Sequence, residues 1–136
     1  MERIQRSYVD AGSDIIYANT FGANAHKLEG TGHTTEELVA ANVAIAKKAA
    51  DGRAKVALDV GPIGELMEPL GTLAFDEAYE IYAQMVRAGE QAGADLVIFE
   101  TMTDLYEVKA AVLAAREQSN LPIWVTMSFE ATGRTF

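Results

Sequence analysis

The 136 residues suffice for one ordinary domain with a core of its own, and a hydrophobic share of 49% fits a globular chain. Asp and Glu outnumber Lys and Arg by 20 to 11, and the formal charge of -9 disfavours nucleic acid and anionic membrane as partners. Cysteine is absent, which excludes disulfides and any thiolate metal site supplied by this chain and fits a cytoplasmic protein. The opening residues, Met1 to Ser7, carry no apolar core of the signal-peptide kind. No apolar run approaches the roughly 20 residues of a membrane span.

Residues 1–11 read as the end of a helix. Ile4, Tyr8 and Ala11 recur at three- and four-residue spacing, and Gly12 stands where a helix-ending glycine would. The first strand is predicted at Asp14 to Ala18, apolar enough to be covered on both faces. It runs into Asn19-Thr20-Phe21-Gly22, two polar side chains and a turn-permitting glycine. A polar loop over 24–33 carries His26, Lys27 and His33. Gly30 and Gly32 argue against a continuous helix there. The two histidines lack a third ligand at fixed spacing, so neither is assigned to a metal.

Thr34 and Glu37 have capping-box spacing for the next helix, with Leu38, Ala41, Ile45 and Ala49 as its buried stripe and Asp51-Gly52 as its end. Lys55 to Val60 is the second strand. The loop after it, from Gly61 to Thr72, holds three glycines and two prolines, so it has a defined shape. Glu65 and Glu68 read there as solvated charges. Phe75, Ala78, Tyr79, Tyr82, Met85, Val86 and Gly89 mark one face of a long helix, the two tyrosines as packing residues.

The third strand, Asp95 to Phe99, delivers Glu100 at its C-terminal end. Asp104 and Glu107 offer a second capping box, followed by a stripe of Leu105, Val108, Val112 and Ala115. Ser119-Asn120 turns the chain into a fourth strand, Pro122 to Met127, with the proline tolerable at its first position. Asp10-Ala-Gly-Ser-Asp-Ile-Ile echoes Gln91-Ala-Gly-Ala-Asp-Leu-Val, and both sit at a helix-to-strand junction. That is the rhythm of repeated β/α units.

Such units fit an open doubly wound sheet or a barrel. No strand is followed by a glycine-rich nucleotide fingerprint. Asn19, Asp59, Glu100 and Ser128 each end a strand, as polar residues do on the C-terminal face of a barrel. Four strands do not close a barrel of eight, so the alternatives are a fragment that self-associates through its open edges, a piece of a longer chain, or a small open sheet that stands alone, and the second is the expectation. Glu100 could equally be a helix N-terminal carboxylate, Asn19 a turn former and Asp59 an acceptor for loop amides.

Four stretches carry a resemblance. Asp14-Ile-Ile-Tyr-Ala-Asn-Thr-Phe-Gly-Ala-Asn24, Asp59-Val-Gly-Pro-Ile-Gly64, Phe99-Glu-Thr-Met-Thr-Asp104 and Ser128-Phe-Glu-Ala-Thr-Gly-Arg134 closely resemble the homocysteine S-methyltransferase domain, above all the homocysteine-binding module of cobalamin-dependent methionine synthases. The resemblance covers nearly all of residues 1–136, read as one partial homocysteine-binding domain. It implies a (β/α)8 barrel of which these would be the second to fifth strands. Glu100 matches the carboxylate that binds the amino group of homocysteine. Asn19, Thr20 and Phe21 match one wall of the substrate pocket, Asp59 and Gly61 another part of the rim, and Ser128 and Phe129 the end of the fifth strand. The resemblance implies methyl transfer to the thiolate of L-homocysteine, giving methionine, from methylcobalamin recharged by methyltetrahydrofolate on other modules. S-methylmethionine or a betaine is the alternative donor, and a non-catalytic fragment the alternative role. A zinc ion held by three cysteines would activate the thiol, whose pKa of about 8.5 leaves it mostly protonated at neutral pH. Those cysteines belong to strands six and eight, so this chain is expected to supply neither catalytic nor metal-binding residues and to be inactive alone.

Overall fold

The structure is a computed structural model that describes residues 1–135. The elements follow in the order α1 (Glu2–Asp10), β1 (Ile15–Tyr17), α2 (Ala25–Leu28), α3 (Thr35–Ala50), β2 (Lys55–Val60), α4 (Phe75–Gln91), β3 (Leu96–Met102), α5 (Leu105–Gln118) and β4 (Ile123–Met127). All four predicted strands are present within a residue or two, although β3 runs two residues past Glu100. They form a single parallel sheet in the order β1-β2-β3-β4. The order never reverses, so the sheet has no topological switch point. Right-handed crossovers then put every connecting helix on the same side. This is an arc of a (β/α)8 barrel.

Alternation splits the strands between two faces. Ile16, Val56, Leu58, Val60, Val97 and Phe99 point to the helices and join one continuous core with Val39, Val43, Tyr82, Met85 and Val86. Ile15, Ala57, Leu96 and Ile98 form a separate small cluster on the other face, which becomes the barrel interior. Small residues let the layers approach closely. A Cβ on Gly89 of α4 would lie 2.4 Å from Leu58 Cδ2.

Helix boundaries follow local chemistry. Thr34 and Glu37 close the expected capping box at α3, and Asp51 ends that helix in the left-handed conformation, φ 52°. Gly12 follows α1 at φ 97°. At the N-terminal edge of the sheet, Asp95 accepts 2.7 Å hydrogen bonds from Lys47 Nζ and Val56 N. Burial opposes its charge, but these donors prevail and hold its carboxyl below the ordinary range.

Several expectations are corrected. The Ile4–Tyr8–Ala11 stripe of α1 faces outward, and Gln5 and Val9 are the buried positions. In α3 the buried stripe is Thr35, Val39, Val43, Ala46, Ala49 and Ala50, while Ala41 is exposed. Strand β1 is covered on one face only, since Tyr17 is exposed. The polar loop contains the one-turn α2, started by the Asn24 side chain accepting from Lys27 N. The second capping box does not form. Asp104 Oδ1 accepts from Tyr106 N at 2.7 Å, while Leu105 is exposed and Glu107 turns inward.

Candidate active site

The C-terminal ends of β1, β2 and β3 converge on the helix-free face. Register pairs Tyr17 with Ala57 and Asp59 with Ile98, so Tyr17, Asp59 and Ile98 share that face. Glu100 lies two residues beyond Ile98. It falls within the bulge between Phe99 and Met102, where three steps of β3 oppose two of β4. Thr101, the residue after it, sits at φ 56°, a conformation that β-branched side chains rarely adopt. Its N–H is held by Thr126 Oγ1 at 2.9 Å, and its hydroxyl donates to Glu100 O at 2.7 Å. The bulge thus interrupts regular pairing at the residue that carries the site carboxylate.

Register puts Asp59 and Glu100 on the same face at the ends of neighbouring strands, near enough for the Glu100 charge to act on Asp59. Asp59 is only 8% exposed, and its Oδ1 has no hydrogen-bond partner. Burial, then the Glu100 charge, pushes the Asp59 carboxyl up to about 7. Burial and the same two carboxylates also raise the Tyr17 phenol. Beside them opens a cavity of about 380 Å³ between α1 and the edge of β1. Tyr17, Asn19 and Asp59 line its site end, and Ile4, Gln5 and Tyr8 of α1 its other wall.

The loop after β1 is fastened to β2 by a side chain. Thr20 Oγ1 donates to Asp59 O at 2.8 Å and accepts from Asp59 N at 3.1 Å. The buried hydroxyl stands in for the next peptide group of β1, and Gly61 N donates to Phe21 O at 3.0 Å to resume main-chain pairing. Thr20 therefore positions Asp59 through its backbone. Gly61 has a specific reason to lack a side chain, since a Cβ there would lie 2.4 Å from the tip of the Phe21 ring. Lys27 Nζ caps that ring at 5.4 Å and donates to Pro62 O at 2.8 Å.

The site residues read from the sequence thus fall into three groups. Asn19 and Asp59 line the cavity, and Glu100 lies outside its lining, on the same sheet face two residues beyond Ile98. Thr20, Phe21 and Gly61 brace the loop behind it. Ser128 and Phe129 border a smaller cavity of about 160 Å³ at the ends of β3 and β4, with Thr103 and Arg134.

Three further residues shape the site region. Tyr17 was read only as part of a strand. Glu107 is 3% exposed and accepts from Ile63 N at 2.7 Å and Tyr82 Oη at 2.6 Å. Burial raises its carboxyl against those two donors. It anchors the loop after β2 to α4 and α5, a role hidden behind a helix-cap spacing. Glu65 is likewise braced, accepting from the Thr72 hydroxyl and lying 3.7 Å from His26 Nε2.

The family model for Homocysteine S-methyltransferase matches residues 1–136. The chain belongs to the homocysteine S-methyltransferase family. Methionine synthases of Mycobacterium leprae and Mycobacterium tuberculosis are each 30% identical to it over 146 aligned positions, spanning 98% of this chain and 12% of theirs. Among solved structures, the oxidized form of the Escherichia coli homocysteine methyltransferase MmuM superposes with a TM-score of 0.87 at 19% identity, across 98% of this chain and 52% of that one. A dihydrodipicolinate synthase from Bacillus clausii superposes at 0.53 with 20% identity, across 98% and 39%. At such identities the likeness is one of fold. The chain spans about half the length of the MmuM chain and about an eighth of the two methionine synthases.

The residues of this chain do not fit a thiolate zinc site. The sequence has no cysteine, and among the described residues no group of three His, Cys, Asp or Glu is placed to hold a metal ion. Asp59 and Glu100 make a pair of acidic oxygens, suited to a cationic or hydrogen-bond-donating group.

Proposed function

We propose that this chain supplies the amino-acid-binding part of a protein that transfers a methyl group to L-homocysteine, forming methionine. One observation carries the reading: in a member of this family, Asp59 and Glu100 end neighbouring strands on the helix-free face, and Asp59 lines a cavity there. Glu100 takes the ammonium group of homocysteine, an exchange of water for a charge-assisted hydrogen bond. Asp59 stands behind it, Asn19 supplies amide hydrogen bonding at the rim, and Ser128 and Phe129 border the far side of the substrate. Thr20, Phe21 and Gly61 hold the rim in shape.

The methyl donor in this reading is methylcobalamin, recharged by methyltetrahydrofolate, each carried by further modules. The 30% identity to two methionine synthases supports this choice over S-methylmethionine or a betaine. Zinc chemistry at the homocysteine sulfur has to come from residues outside these 136. A cytoplasmic setting belongs to the same proposal.

Calorimetry with L-homocysteine tests the reading. Binding is expected, and Glu100→Gln is expected to weaken it at least tenfold, corresponding to about 1.4 kcal/mol. Equal affinity in the variant would remove Glu100 from the site. The chain alone, given homocysteine and methylcobalamin, is expected to form no methionine, as measured by mass spectrometry of the products.

A further inference from the structure

The arc consists of four helix–strand units, α1-β1, α3-β2, α4-β3 and α5-β4. The helix layer keeps the same order, α1 against α3, α3 against α4 and α4 against α5. A closed barrel of this kind holds eight strands and eight helices. Two copies of the arc supply both, with no strand or helix left over.

The end helices carry apolar stripes on their unpartnered sides. Ile4, Tyr8 and Ala11 of α1 are exposed, Ile4 by 55% and Tyr8 by 60%. The charges of α1 lie on its other flank, where Glu2, Arg6 and Asp10 pair with Lys48, Asp51 and Arg53. At the far end, Val108, Val112 and Leu113 of α5 border an open apolar groove of about 470 Å³, with Lys109 and Arg116. Periodicity marks both stripes as packing faces, and the single arc leaves them without a neighbour. Neither stripe carries an acidic side chain, so the charge of -9 is borne elsewhere.

The edge strands beneath are complementary. Asp14 O and Ala18 N bond to β2, and alternation then turns the main-chain groups of Ile15 and Tyr17 to the open edge. Gln5 Nε2 donates to Tyr17 O at 2.8 Å, while Gln5 Oε1 stays buried without a partner. Beside them, α1 overhangs the edge and roofs the cavity of about 380 Å³ with Ile4 and Tyr8. This is a slot the width of a strand, already under a helix. Strand β4 has the opposite lack. Register puts Val125 on the helical face with Phe99 and Trp124 on the helix-free face with Ile98, yet they are 37% and 50% exposed. One edge has a helix without a strand beneath it, and the other a strand without its full helical cover.

We propose that two copies of this chain join, β1 of each beside β4 of the other, into one closed (β/α)8 barrel. The α1 helix of each copy covers β4 of the other and packs against its α5. On the C-terminal face, Ser128 of one copy then stands beside Asn19 of the other, so each candidate pocket is walled by both copies and is incomplete in one. The inference does not depend on the ligand assigned above.

Sedimentation equilibrium of the 136-residue chain is expected to give twice 14.7 kDa and nothing larger as concentration rises, because the ring is full at two. Trp124, the sole tryptophan, is expected to shift its emission to the blue on pairing. Tyr8→Asp and Val112→Asp, at opposite ends of the arc, are each expected to weaken pairing at least tenfold with the far-UV circular dichroism unchanged. The chain has no cysteine, so single introduced ones report the geometry. A mixture of Tyr8→Cys and Val112→Cys is expected to cross-link under mild oxidation, and neither variant alone. A stable monomer, its edges left to further strands of a longer chain, overturns the proposal. So does an open-ended series of larger species, or cross-linking within either variant alone in place of the mixture.

Discussion

Asp59 shows how a single buried side chain can weigh on the fold. Its carboxyl titrates at about 7 in the folded chain against an ordinary value of 3.8. Between those values the folded state binds more protons than the unfolded one, so stability falls as pH rises. The contribution is intact below pH 4 and gone above pH 7. Asp59→Asn is therefore expected to stabilise the chain by about 2 kcal/mol at pH 8, with the gain fading toward pH 4. Urea unfolding at the two pH values measures this. A destabilised variant at pH 8 would mean that the charged carboxylate has a favourable partner. Asp59 and Glu100 were legible as candidates because each is a lone acid at the end of an apolar run. Thr20 was legible by resemblance as a pocket-wall residue, and its role as a brace for Asp59 was not. Its two bonds span 39 positions of sequence and leave no local pattern to read.

At the scale of elements, existence and order were plain from periodicity, and the buried faces were not. The α1 stripe was read from Ile4 and Tyr8, the large apolar residues, yet Gln5 is the buried one, donating to Tyr17 O at 2.8 Å. A polar side chain at a strand edge can satisfy a carbonyl that an apolar one would leave bare. In α3 the alanines fit several faces equally, and tertiary packing buried Ala46, Ala49 and Ala50. The capping-box spacing at Asp104 and Glu107 was present, but the stronger demand came from Ile63 N and Tyr82 Oη. Removing that anchor has a predictable cost. Glu107→Ala leaves two buried donors unpaired, and Tyr82→Phe removes one partner from a buried carboxylate. Each is expected to lose about 2–3 kcal/mol, with the double variant less than additive. Denaturant midpoints of the four proteins test this, and full additivity would show that the two side chains do not act together.

For the whole molecule, the open arc is the dominant fact. Strands β1 and β4 are the sheet's edges, and Met1, Ile4, Tyr8, Trp124 and Val125 remain exposed. Unpaired parallel edges invite pairing with another chain. The 136-residue chain is expected to self-associate, and light scattering should give at least twice its 14.7 kDa mass. The charge of -9 per chain opposes contact, so added salt should strengthen association. A monomer at all salt concentrations would show that these edges protect themselves. The arc and its open edges followed from the strand count and the polar strand ends. Which surfaces stay bare followed only from coordinates, because exposure depends on the neighbours an element lacks.

The two faces of the sheet have a further consequence. The large buried side chains, among them Tyr82, Phe99, Leu58 and Met85, lie on the helical side, and only Ile15, Ala57, Leu96 and Ile98 cluster on the other. The shell is held together from outside. Within these residues the lining, Tyr17, Asn19 and Trp124 among it, is exposed and adds little to the fold, so substitutions there are expected to cost this chain little stability.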